Sequence, residues 1–384
     1  MKFEFATATR IIFGPGTVQE VAPAAAEMGK RAFAVTGRSP DRARPLLDQL
    51  NAHHIEYVTF NVPSEPTTTI VTEAVQQARQ IKSDLVIGIG GGSVLDSGKA
   101  IAAMLTNSGR LLDYLEVVGE GLPITKTPAP YIAMPTTAGT GAEVTRNAVL
   151  AVTEKQVKVS MRSPLLLPRL AVVDPELTHS MSPSITASTG LDALTQLIEA
   201  YVSNKANPLT DGICREGLKR AARSLRKAYE NGSNPDARQD MALASLFSGL
   251  ALANAKLGAV HGFAGPLGGM IFAPHGVICA RLLPFVCEAN VKALHSREPD
   301  SPALARFDEI AQIVIGKASA RAADAVNWIQ HLCKTLTVPP LDQFGLKEQD
   351  FQTVVAKAQK SSSMKGNPIP LTDDELIQIL EKSQ

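Results

Sequence analysis

The sequence of 384 residues predicts an α/β domain followed by an all-α domain. Through the first half, short apolar runs alternate with helical patterns, as repeated strand-helix units do. After the turn-rich stretch 175–183, strand signals fade and long helical patterns take over. Length is the third observation: a chain of this size, 45% hydrophobic, exceeds the usual single domain. The boundary falls near Met181, giving domains 1–180 and 181–384.

The elements follow in chain order. Residues 7–13 (TATRIIF) read as an additional strand beside the better candidates 31–36, 55–60, 84–89 and 131–134, with helical spacing at 42–50 and 71–80. Residues 87–92 run into a glycine-rich turn, and 94–105 are helical. Glycines let backbone approach a pyrophosphate, and a helix start favours its charge, so Gly88, Gly90, Gly91, Gly92 and Ser93 form a candidate dinucleotide site. A tight turn without ligand is the alternative. Asp96 is counted with this site, although it and Lys99, in the first turns of the helix, also read as solvated or capping charges.

A second polar turn, 135–143 (PTTAGTGAE), follows the strand ending at Met134. Parallel sheets bind ligands at the carboxyl ends of their strands, so the hydroxyls of Thr136, Thr137, Thr140 and Thr145 are candidates to orient a carboxamide, phosphate or ribose. Thr and Gly are also ordinary turn formers. Further on, Leu191, Leu194, Leu197, Ile198, Tyr201 and Val202 make one apolar helical face, while Asp192, Gln196 and Glu199 fall on a separate polar stripe. Asp192 and Gln196, four apart, project together and with His261 and His275 offer a mixed oxygen and nitrogen site for a divalent transition ion. A core or capping role for each His is the alternative.

Lys and Arg number 38 against 37 Asp and Glu, so no strong field attracts nucleic acid or anionic lipid. Apolar runs stop well short of the roughly 18 residues a membrane span needs. The N-terminus has no basic segment leading an apolar signal core, and Cys214, Cys279, Cys287 and Cys333 form no C-x-x-C pair. A reducing cytoplasm and a small-molecule partner are expected.

Ordered motifs then run nearly end to end: I-x-F-G-x-G at 11–16, G-G-G-S-x-x-D at 90–96, P-T-T-x-G-T-G-x-E at 135–143 and V-D-P-E-L-T at 173–178. T-G-x-D-A-L-T at 189–195, P-L-G at 266–268 and P-H-G-V at 274–277 complete them. In these the chain resembles a divergent member of the iron-containing (group III) alcohol dehydrogenase family. The resemblance implies a Rossmann-like parallel-sheet domain, a helical metal and substrate domain, and a cleft between them. It implies NAD(P)(H) contacts by Gly37, Gly91, Gly92, Ser93, Thr136, Thr137, Thr140, Lys158 and Met181. Asp192, His261 and His275 become the catalytic ligands of a divalent iron or zinc ion, with Gln196 at a fourth ligand position. Arg146, Asn147, Phe263 and Phe272 come to the substrate pocket by the same analogy, and a homodimer or higher homo-oligomer is implied.

Three departures from the family pattern matter. Gln196 stands where the family usually has His, and a neutral amide oxygen is the weaker donor. Gly265 replaces a second His that could relay protons, and Cys279, four residues after His275, stands where Asn is common, so that a thiolate could replace a missing ligand, a small buried Cys being the alternative. At the end of the first nucleotide-domain strand, Gly37, Arg38 and Ser39 replace the Asp that repels a 2′-phosphate, so NADP(H) is tolerated, while Glu65 near another cofactor position would favour NAD. The expected activity is hydride transfer between NAD(P)(H) and a small alcohol, aldehyde or ketone. The alternatives are a metal-independent reductase resembling maleylacetate reductase and a dehydroquinate synthase-like lyase.

Overall fold

A computed structural model describes residues 2–155 and 157–384. The chain forms two compact units: Ala6–Thr137 with Gly141–Thr178, and Ala138–Thr140 with His179–Gln384 and the N-terminal residues up to Phe5.

The first unit is α/β. Its strands are β1 (Arg10–Phe13), β2 (Arg31–Thr36), β3 (Glu56–Asn61), β4 (Leu85–Gly90), β5 (Tyr131–Pro135), β6 (Asn147–Val152), β7 (Val157–Arg162) and β8 (Leu170–Val173). Its helices are α1 (Val21–Met28), α2 (Arg44–Ala52), α3 (Thr68–Gln80) and α4 (Gly92–Thr106). Six strands make a parallel sheet in the order β1-β8-β5-β4-β2-β3. Side chains alternate across it: Leu85, Ile87 and Ile89 pack with α1 and α2, while Val86 faces the core built by α3 and α4. Both faces are covered, which is why these strands read as continuous apolar runs. The chain leaves β2 for β3 on one side and returns to β4 on the other, so the switch point lies between β2 and β4.

The expected strands and helices of this half are present with ends shifted by a few residues. The short β8 and the Ala-rich α1 carry weaker signals. In the antiparallel pair β6–β7, β7 is not among the expected strands although Val157, Val159 and Met161 alternate with Lys158, Ser160 and Arg162 as in a half-buried strand, and β8 is only four residues long.

The second unit is helical: α5 (Pro183–Val202), α6 (Pro208–Glu230), α7 (Pro235–Asn254), α8 (Ala259–Met270), α9 (His275–Arg297), α10 (Pro302–Ile315), α11 (Ala322–Thr335), α12 (Phe351–Ala358) and α13 (Asp373–Lys382). Starts are set by local chemistry: Ser182, Asn207 and Asn234 cap α5, α6 and α7 through their side-chain oxygens, each ahead of a Pro at the first helical position. Helix α5 is buried on nearly all sides and packs against α6, α7 and α9. Such a central helix normally carries no polar stripe, so the buried Asp192, Gln196 and Glu199 mark a site. Among the described residues, no single helix is long and apolar enough to cross a membrane.

Candidate functional site

The glycine-rich turn lies at the sheet's switch point. Gly91 precedes α4, whose first residues are Gly92 and Ser93, and no side chain caps this helix. Its leading amides are thereby left to an anion, and the helix dipole favours one there. Other glycines of the run serve packing: a Cβ on Gly90 would overlap the Val94 side chain, and one on Gly88 would overlap the Tyr131 hydroxyl. Thr137 closes on the turn, since a Cβ on Gly91 would meet its Oγ1 at 3.4 Å. Thr136 is buried, its amide donating to Gly90 O at 2.9 Å. Gly37 follows β2, the strand beside β4, and its carbonyl accepts from the Asn61 amide. Lys158 on β7 pairs with Glu65 at 3.1 Å.

Two of the expected cofactor residues are already engaged by protein. The Lys99 ammonium, fully buried, donates to Asp96 (3.3 Å), to Thr145 Oγ1 (2.7 Å) and to Asn147 O (2.7 Å), while Asp96 Oδ2 accepts from Val149 N at 3.0 Å. The solvated or capping reading of Lys99 is therefore corrected: the β6–β7 pair, 46 and more residues further along the chain, covers it. Glu143 is also buried, and burial pushes its carboxyl up to about 7 despite the pull of nearby Lys99. Between its ordinary 4.5 and about 7 the folded protein keeps a proton that the unfolded chain releases, so stability falls as pH rises through that window and levels off above it. Glu143→Gln is expected to flatten this dependence by up to about 3 kcal/mol, read as the pH dependence of the urea midpoint. Parallel curves for the two proteins would contradict the assignment.

In the helical unit Thr140 belongs with Ala138 and Gly139, and Met181 is buried with its carbonyl accepting from Arg238 Nη2 at 3.3 Å. Phe263 is wholly buried in the helical core, whereas Phe272 is 97% exposed.

The centre of this unit is a cluster on α5, α8 and α9. Donor atoms of Asp192, His261, His275 and Cys279 all lie within 4.8 Å of one another. Asp192 Oδ1 is 3.3 Å from His261 Nε2 and 3.8 Å from His275 Nε2, and with the His261 proton on Nδ1 it has no hydrogen-bond partner. A buried carboxylate oxygen without a partner is costly unless a cation completes it, so the donor set fits a metal ion. Gln196 Nε2 donates to Asp192 Oδ2 at 3.3 Å, and its own Oε1 is likewise buried without a hydrogen bond. Burial pushes the Asp192 carboxyl up, but His275 and His261 outweigh it and hold the group below the usual range. Burial opposes charge on His261, yet Cys279, Glu199 and Asp192 raise it well above its ordinary value, and Cys279 and Asp192 raise His275 to about 9. The surroundings demand positive charge.

Glu199 was read only as part of the polar stripe, and its role appears in three dimensions. Its Oε2 accepts from His261 Nδ1 at 2.6 Å and its Oε1 accepts from Val260 N at 2.7 Å. This fixes the His261 tautomer with Nε2 as the free donor, the usual carboxylate-histidine support of a metal ligand. The available signal was its spacing: seven residues after Asp192, Glu199 stands two turns along the same face.

Fold and site define a protein with a candidate nucleotide turn on a parallel-sheet unit and a candidate cation centre in a helical one. The family described as iron-containing alcohol dehydrogenase matches residues 8–175, and the C-terminal part of the Fe-containing alcohol dehydrogenase family matches residues 186–384. Alcohol dehydrogenase 4 of Saccharomyces cerevisiae is 36% identical over 320 residues, 83% of this chain and 80% of the yeast protein. The 1,3-propanediol dehydrogenase of Klebsiella pneumoniae is 35% identical over 396 residues, covering 99% and 98%. A crystal structure of a 1,3-propanediol oxidoreductase superposes with a TM-score of 0.92 at 34% identity, covering 100% of both chains. The chain belongs to the iron-containing alcohol dehydrogenase family.

Proposed function

We propose that this chain is an NAD(P)(H)-dependent dehydrogenase of a small alcohol, aldehyde or ketone, assisted by a divalent cation, iron or zinc. The unpartnered Asp192 Oδ1 beside two imidazoles carries this reading. Relatives named for alcohols and 1,3-propanediol support the substrate class. A nicotinamide dinucleotide, when bound, supplies the hydride chemistry. A cation held by Asp192, His261 and His275 supplies Lewis-acid polarisation of the substrate oxygen.

The chain's own residues prepare both sites. Amides of Gly91, Gly92 and Ser93 take the pyrophosphate, and Thr136, Thr137, Thr140, Lys158 and Met181 contact the remainder of the cofactor. Asp96 and Thr145 hold the turn in place through Lys99. Gln196 fixes Asp192 through Oδ2, and Glu199 fixes His261. His275, with 37% of its side chain exposed, is the ligand open to incoming substrate. With Gly265 in place of a relay histidine, no side chain at that position would take the alcohol proton, which would pass to water. The retained donors and the family matches weigh against the metal-independent and lyase alternatives.

Metal analysis of protein purified without added metal, run beside a panel of small alcohols and aldehydes with each cofactor, tests the reading. Turnover that rises with bound iron or zinc is expected. Full activity in metal-free protein would promote the metal-independent reductase.

NADPH use is part of the proposal, since no carboxylate follows β2 to repel a 2′-phosphate. A Cβ at Gly37 meets only Val94, at an ordinary 3.6 Å, so Asp fits there. Gly37→Asp is expected to move the NADH over NADPH affinity ratio by about tenfold or more, an electrostatic effect of about 1.4 kcal/mol. An unchanged ratio rejects the assignment. Four free, buried cysteines suit a reducing cytoplasm. A homodimer or larger assembly is inferred by analogy with the family, and solution mass tests it.

A further inference from the structure

The cation site has two candidates for its fourth protein donor. Gln196 occupies the position that is usually His in the family, but its amide nitrogen is engaged with Asp192 Oδ2 and its oxygen is neutral. Cys279 is the other. It lies one turn after His275 on α9, so the two side chains project from the same face. Its sulfur is 3.6 Å from His275 Nε2 and 3.7 Å from His261 Nε2.

These distances have a simple meaning. Bonds of about 2.0–2.1 Å to nitrogen or oxygen and about 2.3 Å to sulfur give a tetrahedron with edges of about 3.4 Å between N or O corners and about 3.6 Å from S to N. Four of the six edges are 3.3 and 3.8 Å from Asp192 Oδ1 to the imidazoles, and 3.6 and 3.7 Å from the sulfur to the imidazoles, and the remaining two lie within 4.8 Å. The other cysteines show what a bland thiol looks like here. Cys214, Cys287 and Cys333 sit within the apolar core, and Cys333 donates weakly to Ala280 O at 3.4 Å. Cys279 is equally buried but faces two imidazole nitrogens.

We propose that Cys279 binds the cation as a thiolate, standing in for the imidazole that Gln196 replaces. The inference rests on the reading that Asp192, His261 and His275 hold a divalent ion. On binding, the thiol proton leaves to water and the sulfur lone pair forms the metal bond. One carboxylate and one thiolate then balance the two positive charges in a buried site. A softer donor set of this kind favours zinc or cobalt over iron.

Cobalt(II) titration of the reduced, chelator-treated full-length chain tests this without reference to activity. One cobalt per chain with a near-ultraviolet thiolate-to-cobalt charge-transfer band is expected, together with protection of the Cys279 peptide from alkylation, located by mass spectrometry. Cys279→Ser should lose the band and weaken cobalt binding by more than about 100-fold, beyond the loss typical of an outer-shell partner. If the variant does not fold, the band and the protection in the unaltered protein still decide the question. One cobalt per chain without the band, or with Cys279 still alkylated, overturns the thiolate assignment and leaves the cation reading standing. No cobalt bound overturns both.

Discussion

Asp192→Asn is expected to empty the cation site and to lower kcat by about 10²–10³-fold or more, the scale on which loss of one charge-stabilising group acts in other enzymes. Asn matches Asp in shape, so α5 keeps its packing against α6, α7 and α9. What changes is the donor. The carboxylate is an anion whose Oδ1 lies within 3.3 and 3.8 Å of two imidazole nitrogens. An amide oxygen carries no charge to offset the ion, and an amide nitrogen at that point would donate a hydrogen bond to Nε2 of His261, occupying the lone pair that Nδ1's bond to Glu199 leaves for the ion. Metal content, initial rates and circular dichroism, measured on one preparation, separate loss of the ion from loss of the fold. Retained metal with an unchanged kcat would remove Asp192 from the mechanism.

That site was partly legible in sequence because helical spacing is a local rule. Asp192 with Gln196, and His275 with Cys279, are pairs one turn apart, and each pair does project together. The meeting of α5, α8 and α9 is a tertiary fact, so the choice among donors and the support of His261 by Glu199 required coordinates. The glycine run shows the same division. Its position after a strand marked the turn, but periodicity could not tell Gly91, which stands before the uncapped helix, from Gly88, which makes room for a tyrosine side chain. Lys99 was the clearest misreading. A charge in the first turns of a helix is usually solvated, and its true partners at Thr145 and Asn147 lie 46 and 48 residues further on.

Lys99→Met should therefore be among the most damaging changes in the α/β unit, although Lys99 sits beside the nucleotide turn and touches no expected ligand. Methionine keeps the apolar stem but removes the ammonium from a position with no exposure. Among the described residues Asp96 would retain only the Val149 amide as its partner, while Thr145 Oγ1 and Asn147 O would each lose a donor inside the protein. Breaking a buried ion pair from one side typically costs about 3–5 kcal/mol, because the remaining charge is left uncompensated. Asp96 is 14% exposed in its side chain, so water relieves part of this and the lower end of that range applies. The loss is expected as a lower urea midpoint and as faster hydrogen exchange in β6 and β7, which the network joins to α4. Adding Asp96→Asn to the Lys99→Met chain should recover part of the stability, since a neutral amide tolerates burial better than a lone carboxylate. A midpoint shift of less than about 1 kcal/mol in the single variant, within the range of an ordinary surface substitution or hydrogen bond, would show that Lys99 does not hold β6 and β7 onto α4.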